Sequence, residues 1–395
     1  MFKILSVNAG SSSLKFKLYN MPEEKEICSG IADRIGHEDG IFKIESAHGE
    51  KKTILPIMNH EVAVQLLLKA LIEEKIVENL NEIQGVGHRI VQGGKYFHDS
   101  ALFDKDTEQK IESLIPLAPL HNAAHLVGFR AFQKVLPEVG NVAVFDTAFH
   151  QTMEPTDYIY PIPYEYYEKH AIRRYGAHGT SHKYLAEKSV AYVGEHARVI
   201  TCHLGSGASL CAIKDGKCVA TSMGLTPLGG IMMGTRCGDI DPSIIPFIMK
   251  QENLSVDEMD TILNKKSGFL GVSGVSNDSR DVLKALEAGN PRAKLADDLF
   301  IRRVADFIGQ YFVRLGGCDL IIFSAGIGEN VGYYRKRICD EIAGALHVKL
   351  LDSQMTLRGE EALISTDDSA IKVAVIPTNE ELMIARDTVR LLHLK

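Results

Sequence analysis

Two turns rich in glycine and serine have the composition of a phosphate-binding loop. The first, at 8–13, reads Asn-Ala-Gly-Ser-Ser-Ser and is followed by Lys15; the second, at 205–209, reads Gly-Ser-Gly-Ala-Ser. Small residues let backbone N–H groups approach a phosphate, while hydroxyl and ammonium groups donate hydrogen bonds to it. A tight hairpin turn uses the same residue types, but the repetition favours two turns that bind one nucleotide. Neither is a Walker loop, because the chain contains no GxxxxGK[ST] motif.

Two arginines lie in glycine-rich segments. Arg89 belongs to Gly-His-Arg-Ile-Val-Gln-Gly-Gly and Arg236 to Met-Gly-Thr-Arg-Cys-Gly-Asp. A guanidinium presents a planar fork that matches a carboxylate or a phosphoryl group, and neighbouring glycines let the anion come close. A surface salt bridge is the alternative for each arginine alone. In a chain of net charge −7, two such segments favour a local clamp for an anionic substrate.

Acidic residues follow two apolar strands. Asp146 comes directly after Val-Ala-Val-Phe, and Glu380 comes shortly after Val-Ala-Val-Ile-Pro. A carboxylate beside a phosphate site is a ligand that Mg²⁺ prefers, so Asp146 is a candidate metal ligand. Capping of a helix or turn is the alternative for Asp146, and complementarity to the helix dipole is the alternative for Glu380. Thr378 and Glu381 have the spacing of a capping box, which gives Glu381 a structural explanation and leaves Glu380 as the functional candidate.

Two histidines stand just before predicted helices, where a side chain can lean over a binding site. His121 follows Pro-Leu, and His178 lies in Tyr-Gly-Ala-His-Gly-Thr. Most of the fifteen histidines must nevertheless be structural. His178, with glycines close on both sides, is the preferred catalytic candidate of the two.

The strands that must position these residues fall into two similar sets. Alternating apolar residues predict strands at 3–7 and 13–19 around the first turn, and the segment 198–213 repeats that pattern around the second. Each half later has an apolar strand that ends in small or acidic residues, at 142–148 and at 320–328. The sequence therefore contains an internal duplication with a long period.

Helical spacing of apolar residues completes the two halves. Helices are predicted at 61–76, 121–135, 180–192, 291–315 and 379–391. Strands that alternate with helices in two copies predict an α/β protein with a cleft between two lobes. We place the boundary between the lobes near residue 150.

Composition limits the class of protein further. A chain of 395 residues, with 45% hydrophobic and 24% charged residues, is typical of a globular protein of about two domains. The negative net charge disfavours a nucleic-acid-binding surface. The seven cysteines show no CxxC or zinc spacing, which fits reduced thiols in a cytosol. Apolar runs are too short for a signal peptide or a membrane span, so a cytoplasmic protein is expected.

Taken in order, the motifs resemble those of the acetate kinase family. They begin at Asn8, Gly87, Pro119, Phe145, Arg174, Met233, Ala325 and Thr378. The resemblance implies the actin-like and sugar-kinase-like ATPase fold, in which two duplicated ribonuclease H-like lobes flank a central nucleotide cleft. Residues 1–150 would form the N-terminal lobe, joined by the C-terminal helix at about 384–395, and residues 151–383 the nucleotide-binding lobe. A homodimer is also implied.

The resemblance also implies roles for individual residues. The catalytic residues would be Arg89, Asp146, His178, Arg236 and His121. Mg²⁺ or Mn²⁺ would be held by Asn8, Asp146 and Glu380. The substrate would contact Arg89, Val91, Leu120 and Pro227. ATP or ADP would contact Asn8, Ser11, Ser13, Lys15, His203, Gly205, Ser206, Gly207, Asp278, Ser279, Arg280, Ala325, Gly326, Ile327 and Asn330.

The expected reaction is a reversible, Mg-dependent, direct in-line transfer of the ATP γ-phosphoryl group to acetate, giving acetyl phosphate and ADP. A carboxylic acid is already ionised at pH 7, because unperturbed carboxyl groups titrate near ~4. The nucleophile therefore needs no general base, and Asp146 is expected to hold the metal or position other groups. The obstacle is repulsion between two anions, which the arginines, the metal and His178 would relieve.

Four positions depart from the commonest family pattern. They are Gln92, Ala177, Ser206 and Cys237. Ala177 replaces a phenylalanine just before His178 and could leave room for a larger acid, so a kinase that prefers propionate or butyrate is the alternative. An actin-like or chaperone-like nucleotide-driven binding module is less favoured, because it leaves Arg89 and Arg236 without a role.

Overall fold

The computed structural model describes residues 2–119 and 121–394, and the chain divides into two compact units. The first unit contains Met1–Phe149 and Asn379–Lys395, and the second contains His150–Thr378. The expected boundary was near residue 150, and the expected return of the chain to the first lobe was at about 384. That return begins earlier, at Asn379, because the helix Glu380–Leu391 packs from its start against strands of the first unit.

Within the described residues, the first unit contains one sheet of eight strands. The strands are β1 (Phe2–Ala9), β2 (Ser13–Met21), β3 (Lys25–Asp33), β4 (His37–Ser46), β5 (Gly49–Ile57), β6 (Ile83–Ile90), β7 (Ala101–Leu102) and β8 (Gly140–Phe145). Strands β1 to β5 form an antiparallel meander, while β6 pairs parallel with β1 and β8 pairs parallel with β6. Leu14, Phe16 and Leu18 of β2 are buried at period two, as expected of a strand with one face in the core.

Helices cover this sheet. They are α1 (His60–Glu73), α2 (Lys105–Ser113), α3 (Asn122–Val135) and the C-terminal helix (Glu380–Leu391), with short 3₁₀ turns at Leu80–Glu82 and Ile115–Leu117. Asn59 caps α1 by accepting a hydrogen bond from the N–H of Val62. Val64, Leu67 and Leu71 follow at helical spacing and are buried. The predicted helices at 61–76 and 121–135 are thereby confirmed to within a few residues.

In the described residues, the sheet of the second unit has six strands in the order β11, β10, β9, β12, β14, β13. They are β9 (Arg198–Leu204), β10 (Ala208–Lys214), β11 (Lys217–Thr221), β12 (Leu320–Ser324), β13 (Ala362–Leu363) and β14 (Lys372–Val375). β9, β10 and β11 are antiparallel, whereas β12 pairs parallel with β9 and β14 pairs parallel with β12. A three-strand meander followed by two parallel strands thus occurs in both units.

The helices of the second unit are more numerous. They are α4 (Pro155–Tyr158), α5 (Glu165–His170), α6 (Gly179–Val193), α7 (Ile244–Glu252), α8 (Val256–Lys265), α9 (Gly268–Ser273), α10 (Ser279–Glu287), α11 (Pro291–Leu315), α12 (Ala325–Asn330) and α13 (Gly332–Leu346), with 3₁₀ turns at Ala148–Thr152 and Asp352–Met355. The C-terminal helix is α14. Phe300, Val304 and Ile308 of α11 are fully buried and form the centre of the core, as the predicted helix at 291–315 required.

The strand order corrects one sequence interpretation. The segments 142–148 and 320–328 were matched as equivalent, but β8 is the second strand beyond β1 in its sheet, whereas β12 is the first strand beyond β9 in the other. β12 is therefore the counterpart of β6, and β8 is the counterpart of β14. An apolar run that ends in small residues does not reveal its place in a sheet, because every central parallel strand has that composition.

The start of α14 also differs from the sequence interpretation. Its N-cap is Asn379, whose side chain accepts a hydrogen bond from the N–H of Leu382. The hydroxyl of Thr378 instead lies 2.7 Å from the Ser181 hydroxyl. The capping box was thus wrong. None of the helices within residues 2–119 and 121–394 combines the length and apolarity needed to cross a membrane.

Candidate active site

The candidate residues lie where strands end at the same edge of each sheet. In the first unit, Arg89 is near the end of β6, and Asp146 directly follows β8. In the second unit, Gly205 directly follows β9, and Ala325 directly follows β12. Parallel strands bring their carboxyl ends to one edge, where open α/β sheets bind ligands. Each sheet therefore presents its polar residues at one edge.

Arg89 and Asp146 form a forked ion pair. Arg89 Nη2 lies 2.6 Å from Asp146 Oδ2, and Arg89 Nε lies 3.1 Å from the same oxygen and 3.2 Å from Oδ1. The Asp146 side chain is only 1% exposed, against 22% for Arg89. Burial by itself would lower the pKa of Arg89, but the negative charges of Asp146 and Glu380 more than reverse this. The guanidinium thus stays charged at the strand edge.

Glu380, the first residue of α14, belongs to the same electrostatic group. Burial, followed by the negative charges of Asp146 and Glu381, raises the pKa of Glu380 to about 7, while Arg89 acts in the opposite sense. The ionised form of Glu380 is disfavoured by these effects, so a cation bound nearby would stabilise it. Two carboxylates with the amide of Asn8 at the end of β1 are hard oxygen donors of the type that Mg²⁺ takes. The residues present therefore fit a magnesium ion.

The first glycine-serine turn is held by two histidines that sequence reasoning did not select. The turn closes through a hydrogen bond of 2.7 Å from the Gly10 N–H to the Ser13 carbonyl. His60 Nε2 lies 2.7 Å from the Gly10 carbonyl, and His125 Nδ1 lies 2.8 Å from the Ala9 carbonyl. A carbonyl only accepts, so both rings donate. The i, i+4 spacing of His125 from His121 was the available signal.

The side chains of Asn8 and Ser13 in this first turn are partly buried, whereas Ser11 and Lys15 are exposed. The structure thus brings a row of predicted nucleotide contacts onto one hairpin. Asn8 faces Lys15 across the β1–β2 ladder. The turn presents backbone and hydroxyl donors together with one lysine.

The segment after β6 is fixed by a buried amide pair. Asn122 Nδ2 donates to the Gln92 carbonyl at 2.9 Å, and the Gln92 N–H donates to Asn122 Oδ1 at 3.1 Å. Gln92 Oε1 in turn accepts from the Gly94 N–H at 2.9 Å. Val91 is buried, and His121 is exposed at the start of α3. Leu120, also a predicted substrate contact, lies outside the described residues.

In the second unit, His178 is held in a constrained conformation. It is the N-cap of α6 with φ of 56°, a left-handed conformation that is uncommon for residues other than glycine. The imidazole of His203 stacks on its ring, with centroids 4.2 Å apart. His203 Nδ1 lies 2.8 Å from the hydroxyl of Ser181. The position of the His178 ring is therefore set by its neighbours on more than one side.

Arg236 lies beside the second glycine-serine turn. A Cβ placed on Gly207 would lie 2.8 Å from Arg236 Nη2 and 3.6 Å from His178 Cε1, so a side chain there would displace the guanidinium. Arg236 Nη1 donates to the Pro227 carbonyl at 2.7 Å. Burial lowers the pKa of Arg236. Among the described residues, no carboxylate lies within salt-bridge distance of this guanidinium, in contrast to Arg89.

A pocket of about 720 Å³ opens next to this turn, wholly within the second unit. It is lined by the predicted nucleotide residues Gly205, Ser206, Asp278, Ser279, Arg280, Gly326, Ile327 and Asn330. The lining also includes Gly234, Phe269, Asn277, Leu283, Lys284, Glu287, Val331 and Arg358, which the sequence did not single out. The predicted residues Gly207, His203 and Ala325 do not line it.

Polar groups shape the walls of this pocket. Arg280 Nη2 lies 2.5 Å from Asp278 Oδ2, and the hydrogen bonds from Arg280 lower the pKa of Asp278 to about 2. Asp278 also caps α10. Glu329 Oε1 accepts from the N–H of Ala325 at 2.7 Å and from that of Thr378 at 2.9 Å, which ties the start of α12 to the segment after β14.

The repeated strand order, the glycine-serine turn in each unit and the pocket beside the second turn are the arrangement expected of a nucleotide-binding α/β protein. The profile of the Acetokinase family matches residues 3–386. The chain belongs to this family.

Named relatives agree with this placement. The chain is 53% identical over 392 residues to the acetate kinase of Acholeplasma laidlawii, covering 98% of this chain and 99% of that protein. The crystal structure of Porphyromonas gingivalis acetate kinase superposes with a TM-score of 0.94 at 40% identity. A propionate kinase from Francisella tularensis superposes with a TM-score of 0.94 at 42% identity. Each comparison covers 99% of this chain and 100% of the solved chain.

Proposed function

We propose that the protein transfers the γ-phosphoryl group of ATP reversibly to acetate, giving acetyl phosphate and ADP. The observation that carries this proposal is Arg236, a partly buried guanidinium without a carboxylate partner among the described residues. A buried cation without a counter-ion is unfavourable, so an anion is its natural ligand. Its position beside Gly207 and His178 suits the phosphoryl group.

The acceptor carboxylate is assigned to Arg89. Its Nε and Nη2 are directed at Asp146, and Nη1 has no contact with that carboxylate, so the guanidinium can hold Asp146 and a second anion together. Both oxygens of Asp146 accept hydrogen bonds from this guanidinium, so we assign Asp146 the task of orienting Arg89 rather than removing a proton. Because acetate is already ionised at pH 7, no base is needed. Val91, Leu120 and Pro227 are proposed to surround its methyl group.

Asn8, Asp146 and Glu380 are the residues that we propose to hold Mg²⁺. When bound, the ion would neutralise charge on the phosphate oxygens. Each unit contributes donors of its own: in the first unit the glycine-serine turn offers N–H and hydroxyl groups, and in the second Arg236 and His178 can donate to phosphoryl oxygens. His121, exposed at the start of α3, is assigned a supporting place near the substrate.

Acetate is preferred over propionate as the acceptor. Ala177 was considered as a source of extra room for a larger acid, but its side chain is 3% exposed and belongs to the hydrophobic core of the second unit. A small residue at that position is accounted for by core packing. The propionate kinase from Francisella tularensis has the same fold, so a larger acceptor is the alternative that the experiment must address.

Hydroxylamine trapping tests the activity directly. The protein is incubated with Mg-ATP and acetate, propionate or butyrate, and acyl hydroxamate is measured for the wild type and for Arg236→Ala. Arg303→Ala is the matched control, because it removes an arginine that is half-exposed on α11 and outside the proposed site. Hydroxamate that is greatest with acetate and lost only in Arg236→Ala supports the proposal. A larger acid giving more product overturns the acceptor, and no product with any acid favours the nucleotide-driven binding module.

We also propose that the protein is a cytoplasmic homodimer. Phe247 and Ile244 of α7 are 64% and 40% exposed, and Val256 at the start of α8 is 72% exposed. Large apolar side chains grouped in this way are typical of an interface. Every cysteine is a free thiol, which fits a reducing compartment. Light scattering of wild type and Phe247→Asp tests the dimer; a monomeric wild type would contradict it.

A further inference from the structure

We propose that His182, Ser209 and Thr201 are positioning residues that fix the orientation and tautomer of His178. This inference rests on the proposed function, because it deepens the role given there to His178. None of the three residues is exposed to solvent, and none would touch the substrate. They lie on three different elements, α6, β10 and β9, so the arrangement exists only in the folded unit.

The contacts form a continuous chain. Thr201 Oγ1 lies 2.7 Å from His182 Nδ1, and His182 Nε2 lies 2.9 Å from Ser209 Oγ. The same Ser209 oxygen lies 2.9 Å from His178 Nδ1. Both nitrogen atoms of His182 are thereby engaged, as is the inner nitrogen of His178. The outer edge of the His178 ring, at Cε1, lies beside the Gly207 turn and Arg236.

The direction of these hydrogen bonds follows from the Thr201 hydroxyl, which has one hydrogen to donate. The Cys211 carbonyl is 3.4 Å away, longer than the usual O–H···O range of about 2.5–3.0 Å, whereas His182 Nδ1 is at 2.7 Å. We assign the Thr201 hydrogen to His182 Nδ1, the acceptor at the shorter distance. Burial lowers the pKa of His182 well below its ordinary value, so its ring is neutral and carries its one hydrogen on Nε2. His182 then donates to Ser209.

Ser209, having accepted this hydrogen bond, donates its own hydrogen to His178 Nδ1. His178 Nδ1 is thus an acceptor, and the hydrogen of the neutral ring is on Nε2. In this tautomer His178 presents an N–H donor to a phosphoryl oxygen without first being protonated. In many proteins a hydrogen bond to one ring nitrogen of a histidine determines which nitrogen bears the proton and orients the ring for catalysis or metal binding.

A second contact reinforces the backbone next to His178. His150 Nε2 donates to the Ala177 carbonyl at 3.0 Å, and His150 Nδ1 faces the Cys218 thiol at 3.2 Å. Cys211 continues this chain with its thiol 3.4 Å from that of Cys218. The buried His150, Cys211 and Cys218 cluster is therefore occupied with internal hydrogen bonds that end at the residue before His178.

A double-mutant cycle separates positioning from general core support. Ser209→Ala is expected to lower kcat at least about tenfold with KM for ATP little changed, because a misplaced catalytic group costs rate more than nucleotide binding. Ser209→Thr keeps the hydroxyl and should recover much of the rate. In a His178→Ala background, Ser209→Ala should have no further effect. Ser189→Ala, which removes another buried serine hydroxyl near α6's end, is the matched control and should leave kcat unchanged.

Nitrogen NMR of histidine-labelled protein gives a readout that does not depend on activity. The wild type should show His178 protonated at Nε2, and Ser209→Ala or the isosteric Thr201→Val should produce a mixture of tautomers. Equal losses from Ser209→Ala with and without His178, or a wild-type His178 protonated at Nδ1, would overturn the proposal. A wild type that forms no acyl phosphate would refute the proposed function instead, while the NMR result would still decide the tautomer.

Discussion

The guanidinium of Arg89 meets the carboxylate of Asp146 with two nitrogen atoms, Nη2 at 2.6 Å and Nε at 3.1 Å from the same oxygen. The two residues are 57 positions apart in the chain and are brought together because β6 and β8 are parallel neighbours. The pair is almost closed to solvent on the Asp146 side. A charged hydrogen bond of this kind both holds the arginine in place and leaves its remaining N–H groups for a ligand.

Replacing Arg89 by lysine should therefore separate charge from geometry. Arg89→Lys keeps the positive charge but loses the fork, so acyl phosphate formation should fall by about 100-fold or more. Arg89→Ala should in addition destabilise the fold by roughly 3–5 kcal/mol, because Asp146 becomes a buried charge without its partner. Hydroxamate assays and urea denaturation measure the two effects. Arg130→Lys, at an exposed pair with Glu108, is the control; a wild-type rate in Arg89→Lys would contradict this role.

Gly207 should be essential because a side chain at this position would displace the guanidinium of Arg236. In Gly207→Ala the new methyl group would lie 2.8 Å from Arg236 Nη2, the far end of a flexible side chain, so the protein folds and Arg236 moves. We expect kcat to fall at least about tenfold while the melting temperature changes little. Gly309→Ala is the control, since a Cβ there has no neighbour within 4 Å. Full activity in Gly207→Ala would contradict the placement of Arg236.

A side chain at Gly326 should block the nucleotide without disturbing the fold. Gly326 lines the pocket of about 720 Å³, and a Cβ there would meet nothing within 4 Å. Gly326→Leu is therefore expected to raise KM for ATP at least about tenfold, roughly 1.4 kcal/mol of lost binding. Gly309→Leu adds the same side chain to a helix at another open position and should leave KM unchanged. Unchanged nucleotide titration of Gly326→Leu would exclude this pocket.

His88 should make the stability of the first unit depend on pH. Burial lowers the pKa of His88 from 6.5 to about 4, opposed by its hydrogen bond to Asn141. Between these values the unfolded chain binds a proton that the folded chain does not, so the free energy of unfolding falls as pH falls, by roughly 3 kcal/mol over the window. His88→Leu should flatten that part of the curve. Urea denaturation from pH 7 to pH 4 measures it, with His48→Gln as an exposed control; an unchanged slope would refute the assignment.

Much of the local structure could be predicted from the sequence. The helix at 291–315 was confirmed at Pro291–Leu315 because asparagine caps it, proline begins it, and its apolar residues repeat every three or four positions. The strands on either side of the first turn were also confirmed, because alternation in β2 is a local property. The roles assigned to Arg89, Asp146 and Arg236 remain proposals.

Contacts between distant segments could not be predicted in this way. His60 and His125 both bind the first turn; His60 carries no distinguishing sequence signal, and His125 carries only its i, i+4 spacing from His121. The equivalence of β8 and β12 was misjudged, because composition reports burial and not the order of strands. Phe269 and Leu283 line the pocket although they belong to segments without a phosphate-binding pattern.

The sequence by itself determined the chemistry that the chain can offer: glycine-serine turns, two arginines among glycines, and acids after apolar strands. Those features depend on residue type and near neighbours, which a linear chain already specifies. The tertiary structure alone decided that Arg89 is paired with Asp146 whereas Arg236 has no carboxylate partner among the described residues. It also decided that Thr201, His182 and Ser209 act on His178. Pairing of strands far apart in the chain creates these contacts, and burial determines their energy.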